Sequence, residues 1–184
     1  MSNSAHNSKV EGFLKSIANG ERLARVDLSN CNLTSIPPEV FQLADCLQEL
    51  NLGGNKLSSL PDSMIALQKL RILFFAQNNF TSIPTVLGKL SSLYMLSFKS
   101  NQLQIIEDAS ISPSICWLIL TDNKISELPS SIGKLLGLRK LMLAGNDISH
   151  LNNELRHCQV SNIIHSIFPH NNFVLRFEYM EYLF

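Results

Sequence analysis

No sign of charge dominates this chain. Its 15 Lys and Arg residues are matched by 15 Asp and Glu, so the formal charge at pH 7 is zero. A neutral chain exerts no general pull on nucleic acid or on an anionic membrane surface, and neither is expected as a partner. Long apolar runs are missing as well. The longest, such as Ile115 to Leu120, fall far short of the roughly 20 residues that cross a bilayer. The N-terminal Met-Ser-Asn-Ser-Ala-His-Asn-Ser-Lys has no apolar signal core. The cysteines (Cys31, Cys46, Cys116 and Cys158) are scattered rather than gathered at one end. They read as cytoplasmic thiols, not as an extracellular disulfide cap. Export by a route that needs no N-terminal signal, as for a delivered effector, is compatible with the same features.

Catalytic and cofactor signatures are absent too. Neither a Gly-x-Gly-x-x-Gly loop nor a Gly-x-x-x-x-Gly-Lys-Ser/Thr loop is present. Gly53-Gly54-Asn55-Lys56 falls at a fixed place in a repeat, where turn geometry accounts for it. His150, His157, His165 and His170 are close in sequence, but no pair stands at i, i+4 with an adjacent Glu, as a helical metal site needs. His157 and Cys158 are neighbours, and neighbours point apart. No enzyme, no cofactor and no metal is expected.

What the chain does have is period. Leu-x-x-Leu-x-Leu-x-x-Asn recurs every 22 to 24 residues. The copies are Leu47-Leu50-Leu52-Asn55, Leu70-Leu73-Phe75-Asn78, Leu93-Leu96-Phe98-Asn101, Ile115-Leu118-Leu120-Asn123 and Leu138-Leu141-Leu143-Asn146. Leu23-Val26-Leu28-Cys31 opens the series, with Cys in the Asn slot. Such a period predicts an α/β solenoid of about six repeats, a horseshoe with a parallel sheet on its concave face. With the first Leu as position 1, positions 1, 4, 6, 11 and 14 are apolar, and position 15 is Pro in Pro37, Pro61, Pro84 and Pro129. Pro fixes φ and is expected to end the strand and start a short helical return. The Asn at position 9 is read as structural: its amide supplies both a donor and an acceptor to buried turns.

A solenoid exposes a raw apolar edge at each end. Lys9 to Ala18 places Val10, Phe13, Leu14 and Ile17 on one helical face, which predicts a capping helix stopped by Asn19-Gly20. The expected organisation is a cap over 1–22, repeats over 23–156 and an irregular cap or tail over 157–184. The last segment is rich in Phe and Tyr and lacks the repeat pattern. It reads as an irregular cap, as a foreign tail after an interrupted frame, or as a segment ordered by a partner. Self-association through it is a further possibility.

Positions 3, 5, 7 and 8 should face the hollow. There Ile72, Phe74, Met95, Trp117, Ile119 and Met142 form one expected apolar field, with Lys99, Asp122 and Lys140 beside it. An aromatic and Met-rich patch with a polar rim is what a protein interface looks like. The expected partner is therefore a protein or peptide. The rival occupants of the field are the tail or a second copy of the chain, as in a structural homodimer.

The units resemble leucine-rich repeats of the short intracellular class, which carry Leu-Pro at positions 14 and 15. Leu60-Pro61, Leu128-Pro129, Ile36-Pro37 and Ile83-Pro84 carry the likeness, which covers about residues 23–155. Phe74-Phe75-Ala76-Gln77-Asn78, Trp117-Leu118-Ile119-Leu120 and Met142-Leu143-Ala144-Gly145-Asn146 are also similar to the repeats of proteins that sometimes carry a protein kinase domain. The resemblance implies scaffolding or recognition. It implies no kinase activity here, because the glycine loop, His-Arg-Asp and Asp-Phe-Gly are lacking. A recognition or regulatory fragment of a larger kinase-linked protein is the alternative it leaves open.

Overall fold

Alternating burial at positions 4 and 6 leaves the backbone only one economical shape, a short strand with one face turned inward. The computed structural model of the chain describes residues 3–149, with side chains from Ser8 onward. It contains six three-residue strands: β1 (Arg25–Asp27), β2 (Glu49–Asn51), β3 (Ile72–Phe74), β4 (Met95–Ser97), β5 (Trp117–Ile119) and β6 (Lys140–Met142). They pair in chain order, all parallel, into one sheet. The expected solenoid of about six repeats is observed. Position 4 is buried in every strand: Val26, Leu50, Leu73, Leu96, Leu118 and Leu141. Pairing continues past the strands, since the position-6 N–H donates to the position-5 carbonyl of the next unit, from Leu28 on Asn51 to Leu120 on Met142.

Each of the five described returns is a 3-10 turn. Pro37, Pro61, Pro84 and Pro129 sit just ahead of Pro38–Leu43, Asp62–Ala66, Thr85–Lys89 and Ser130–Lys134, with φ between −76° and −56°. Proline's ring sets that angle in advance. In the fourth unit Glu107 takes Pro's place at φ −76°, and only the three-residue turn Asp108–Ser110 follows. This is also the shortest unit, 22 residues from Leu93 to Ile115. Its return crowds the preceding one. A Cβ on Gly88 would lie 1.9 Å from the Ala109 carbonyl oxygen, so only glycine fits there.

The apolar core is continuous from Phe13 to Ile148. Its bulkiest part is a ring triad. Phe75 stacks on Phe98 at 5.0 Å, and Phe80 meets both edge-on at 5.1 and 5.0 Å. Offset and edge-to-face contacts of this kind add about 0.5–1.5 kcal/mol beyond burial.

The position-9 amides form a ladder with a direction. Asn55 Oδ1 accepts from the Cys31 and Leu33 N–H groups, while its Nδ2 donates to the Leu28 and Leu52 carbonyls. Asn78, Asn101, Asn123 and Asn146 likewise accept from the preceding unit at Leu57, Phe80, Leu103 and Ile125. Each amide thus completes the turn before it. Cys31 has no earlier repeat to serve, and that explains how the first unit does without an amide. Its thiol reaches only the Ser29 carbonyl, at 3.5 Å.

At the N-terminal end α1 spans Asn3–Ala18. The helix starts earlier than the Lys9 start read from the apolar spacing. Gly20, at φ 75°, stops it as expected: its N–H donates to the Ile17 carbonyl, and the Glu21 N–H donates to the Ser16 carbonyl. Phe13 is buried, and Val10 and Ile17 pack against the core. Leu14 does not join them. It is 36% exposed, because the contact line runs through 10, 13 and 17 and Leu14 lies about 100° round the helix from Phe13. His150, His157, His165, His170, Cys158 and the 157–184 segment lie outside the described residues.

Candidate protein-binding surface

Parallel pairing aligns like positions, so the concave face is written in columns. One column runs Arg25, Glu49, Ile72, Met95, Trp117, Lys140, and the other runs Asp27, Asn51, Phe74, Ser97, Ile119, Met142. Adjacent members stand about 4.8 Å apart along a column. Position 4 points into the core between them, so both columns point out of it.

The β1–β2 end is polar and ties up its own charges. Arg25 pairs with Glu49 at 3.5 Å. Lys9 reaches from α1 to Asp27 at 2.8 Å and to the Ser29 hydroxyl at 2.9 Å. Partial burial pushes the Asp27 carboxyl up. The hydrogen bonds from Lys9 and from the Ser29 hydroxyl and N–H, with the Lys9 charge, outweigh that and hold it below its ordinary value.

The β3–β6 end is apolar. Ile72, Phe74, Met95, Trp117, Ile119 and Met142 are all half-buried there, so each retains accessible surface. The Lys140 ammonium stands 5.1 Å from the Trp117 ring centroid, a cation–π contact worth about 0.5–1 kcal/mol at an exposed site. Lys99 is exposed two residues past β4. Asp122 is exposed and accepts the Ser100 hydroxyl at 3.3 Å. The structure thus brings all nine expected residues onto one stretch of the solenoid. Ser97 is the exception to the outward reading of position 5. It is only 4% exposed, because the larger Phe74 and Ile119 flank it in the column, and its hydroxyl accepts the Lys99 N–H.

Position 8 has a property that the repeat pattern hid. Asn30, Gln77, Ser100 and Asp122, with Gly54 and Gly145, all take positive φ between 55° and 72°. Every unit therefore leaves the sheet through a left-handed residue, whose N–H donates to the position-7 carbonyl of the next unit in the first five units. Asn, Asp and Gly at four of the six were the available signal; Gln77 and Ser100 masked it. The Gly53-Gly54 stretch belongs to the same turn. Its N–H groups are taken by Asn51 Oδ1 and the Ala76 carbonyl. Position 2 does not enter the strand, yet it puts Arg71 and Arg139 one residue ahead of β3 and β6, beside the apolar columns.

Among the described residues, no group of three or more His, Cys, Asp or Glu could hold a metal, and no helix is long and apolar enough to cross a membrane. Cys31, Cys46 and Cys116 are free thiols, and burial raises the pKa of Cys31.

Residues 21–80 match the leucine rich repeat family. The chain is 39% identical over 140 residues to the probable serine/threonine-protein kinase pats1 of Dictyostelium discoideum, covering 71% of this chain and 4% of that protein. It therefore spans a small fraction of the length of such curated relatives. Among solved structures, a leucine-rich repeat protein of Leptospira interrogans superposes with a TM-score of 0.60 at 29% identity, covering 79% of this chain and 44% of that one. The Drosophila Toll–Spatzle complex gives 0.59 at 26% identity, over 66% of this chain and 18% of that one.

Proposed function

Because this chain is a leucine-rich repeat protein, related to the repeat domains of kinase-linked relatives and built on a fold typical of protein–protein interaction modules, we propose that it is a non-enzymatic module that grips a protein partner in its concave face. The supporting observation is the register that lines up Ile72, Phe74, Met95, Trp117, Ile119 and Met142 across four adjacent strands. Lys99, Asp122 and Lys140 form part of the rim. The structural likeness to Toll in the Toll–Spatzle complex lends further support. In this reading α1 is the N-terminal cap of a repeat domain over 23–156. The free thiols Cys31, Cys46 and Cys116 support a cytoplasmic location in this reading.

Affinity capture from cell lysate, with wild type and a Trp117→Ala/Phe74→Ala variant side by side, tests the reading. Capture should fall by roughly 30-fold or more per residue if each acts as an interface anchor worth about 2 kcal/mol, with an unchanged circular dichroism spectrum. Loss of the spectrum together with capture would show those side chains to be core. A second reading, a recognition segment of a kinase-linked protein, draws on the similarity to pats1. Kinase motifs in the adjoining genomic DNA would support it.

A further inference from the structure

The rim of the apolar field carries charge that the described residues do not neutralise. Arg71, Lys99, Lys124, Arg139 and Lys140 surround β3–β6, and all are exposed. None pairs with a carboxylate among the described residues, whose ion pairs are Lys9–Asp27, Arg22–Asp45 and Arg25–Glu49, all toward the N-terminal end. The carboxylates in the same stretch of rim are Asp122 and Asp147. A chain with zero net charge has therefore gathered five cations against two anions around its apolar field.

We propose that the occupant of this face is an acidic segment of another protein, with two or three bulky apolar anchors set among its carboxylates. The proposal rests on the concave-face reading above and adds the partner's chemistry to it. Anchors would lie on Phe74, Trp117 and Ile119, and carboxylates would meet Arg71 and Arg139 on one rim and Lys99 on the other. Lys140 sits over the Trp117 ring, so one partner residue can cover the indole while its neighbour meets the ammonium. Three strand spacings make the field about 14 Å long. That matches four or five extended residues at about 3.3 Å each, or about two to three turns of helix.

A nucleic acid fits less well. A phosphate backbone calls for a continuous basic track. Here the cations stand on opposite rims, and the two rings between them, Phe74 and Trp117, lie in different columns two strands apart with Ile72, Met95 and Ile119 among them, so successive bases would find no continuous run of stacking surfaces. A peptide alternates apolar and acidic groups over a few ångströms, which is the spacing the columns and rims present.

Trp117 is the only tryptophan in the chain, so its fluorescence reports on this face alone. The full chain is titrated with three peptides of about twelve residues that share the same Leu and Phe anchors but carry Glu, Gln or Lys between them. A uridine oligonucleotide of about the same length is titrated in parallel. The Glu peptide should perturb Trp117 and bind at least tenfold more tightly than the Gln peptide, with the Lys peptide weakest. That advantage should shrink as salt rises from about 0.05 to about 0.5 M, since exposed charges are then screened. A Lys99→Glu/Arg139→Glu variant, its fold checked by circular dichroism, should reverse the order of the Glu and Lys peptides.

Equal affinities for the three peptides would overturn the acidic partner and leave the concave-face reading standing. Binding that leaves Trp117 emission unchanged, or no binding by any peptide, would overturn both. Tighter binding of the oligonucleotide would replace the protein partner with a nucleic acid. Trp117 shielded from quencher in the free chain, and released by Phe173→Ser/Phe177→Ser, would give the face to the chain's own C-terminal segment and also overturn the proposal.

Discussion

The two ends of the concave sheet share one backbone and differ in what stands on it. β1 and β2 present Arg25, Glu49, Asp27 and Asn51; β3 to β6 present mostly aromatic, Met and branched side chains in the same register. At the first end the charges satisfy one another or are met by Lys9 from α1. At the second end five rim cations have no carboxylate partner among the described residues. The lesson is a division of labour. Positions 4, 6 and 9 specify the fold and barely vary, while positions 3 and 5 vary widely because the apolar core does not use them, even where a position-5 side chain such as Asn51 or Ser97 accepts a turn N–H.

That division can be broken most severely at the shared scaffold. Asn55→Ala, in the polar end, should cost about 3 kcal/mol or more in urea unfolding, because it leaves the Cys31 and Leu33 N–H groups and the Leu28 carbonyl without their partner. Asn123→Ala, in the apolar end, should cost about 1–3 kcal/mol, because it orphans only the Leu103 N–H while Asn101 and Asn146 still donate to the Phe98 and Leu120 carbonyls. Equal costs would mean that the second amide does not hold those shared carbonyls. At the junction, Gly88→Ala should cost about 3 kcal/mol, the upper end of overpacking penalties, since the obstacle is Ala109 backbone rather than a side chain that can swing away. A thermal melt reads this directly.

The contrast itself is sharpened on the surface. Trp117→Ala should weaken partner capture by roughly 30-fold, while Arg25→Ala, in the same column, should change it less than about threefold. Arg25→Ala should move stability by less than about 1 kcal/mol, and Trp117→Ala by about 1–3 kcal/mol, since a half-buried ring and its Lys140 contact are lost. Equal effects on capture would erase the distinction between the ends. The smallest effect belongs to Asp27. Its folded pKa is depressed, so the stability it adds is present above the ordinary carboxylate value and is lost as pH falls through the lower folded value. Asp27→Asn should therefore flatten the acid limb of a stability–pH profile, by well under 1 kcal/mol for so exposed a pair. An unchanged acid limb would mean that the Lys9–Asp27 contact contributes nothing in solution.

Much of this was legible in the sequence because the fold repeats. A Leu period with fixed offsets sets strand position, register and column membership together. The Trp117 and Phe74 columns follow from counting, and so does the structural role of Asn55 and its equivalents. What could not be read depends on neighbours in space. Ser97 is covered because its flanking residues are large, which no position rule states. Leu14 sits on the wrong side of a contact line that only the packed helix defines. Gly88 is forced by the short fourth unit, whose crowding appears only after stacking. The left-handed position 8 was half visible, in Asn30, Gly54, Asp122 and Gly145, and hidden at Gln77 and Ser100, whose side chains carry little bias toward that backbone shape.

The amide ladder gives the chain an arrow of time. Because Asn55 finishes the turn at Cys31, and Asn146 the turn at Ile125, each of the first five units borrows its last hydrogen bonds from residues synthesised after it. During translation the growing solenoid is always one repeat short of closure at its leading edge, so folding should trail the ribosome by about one unit length and advance in steps.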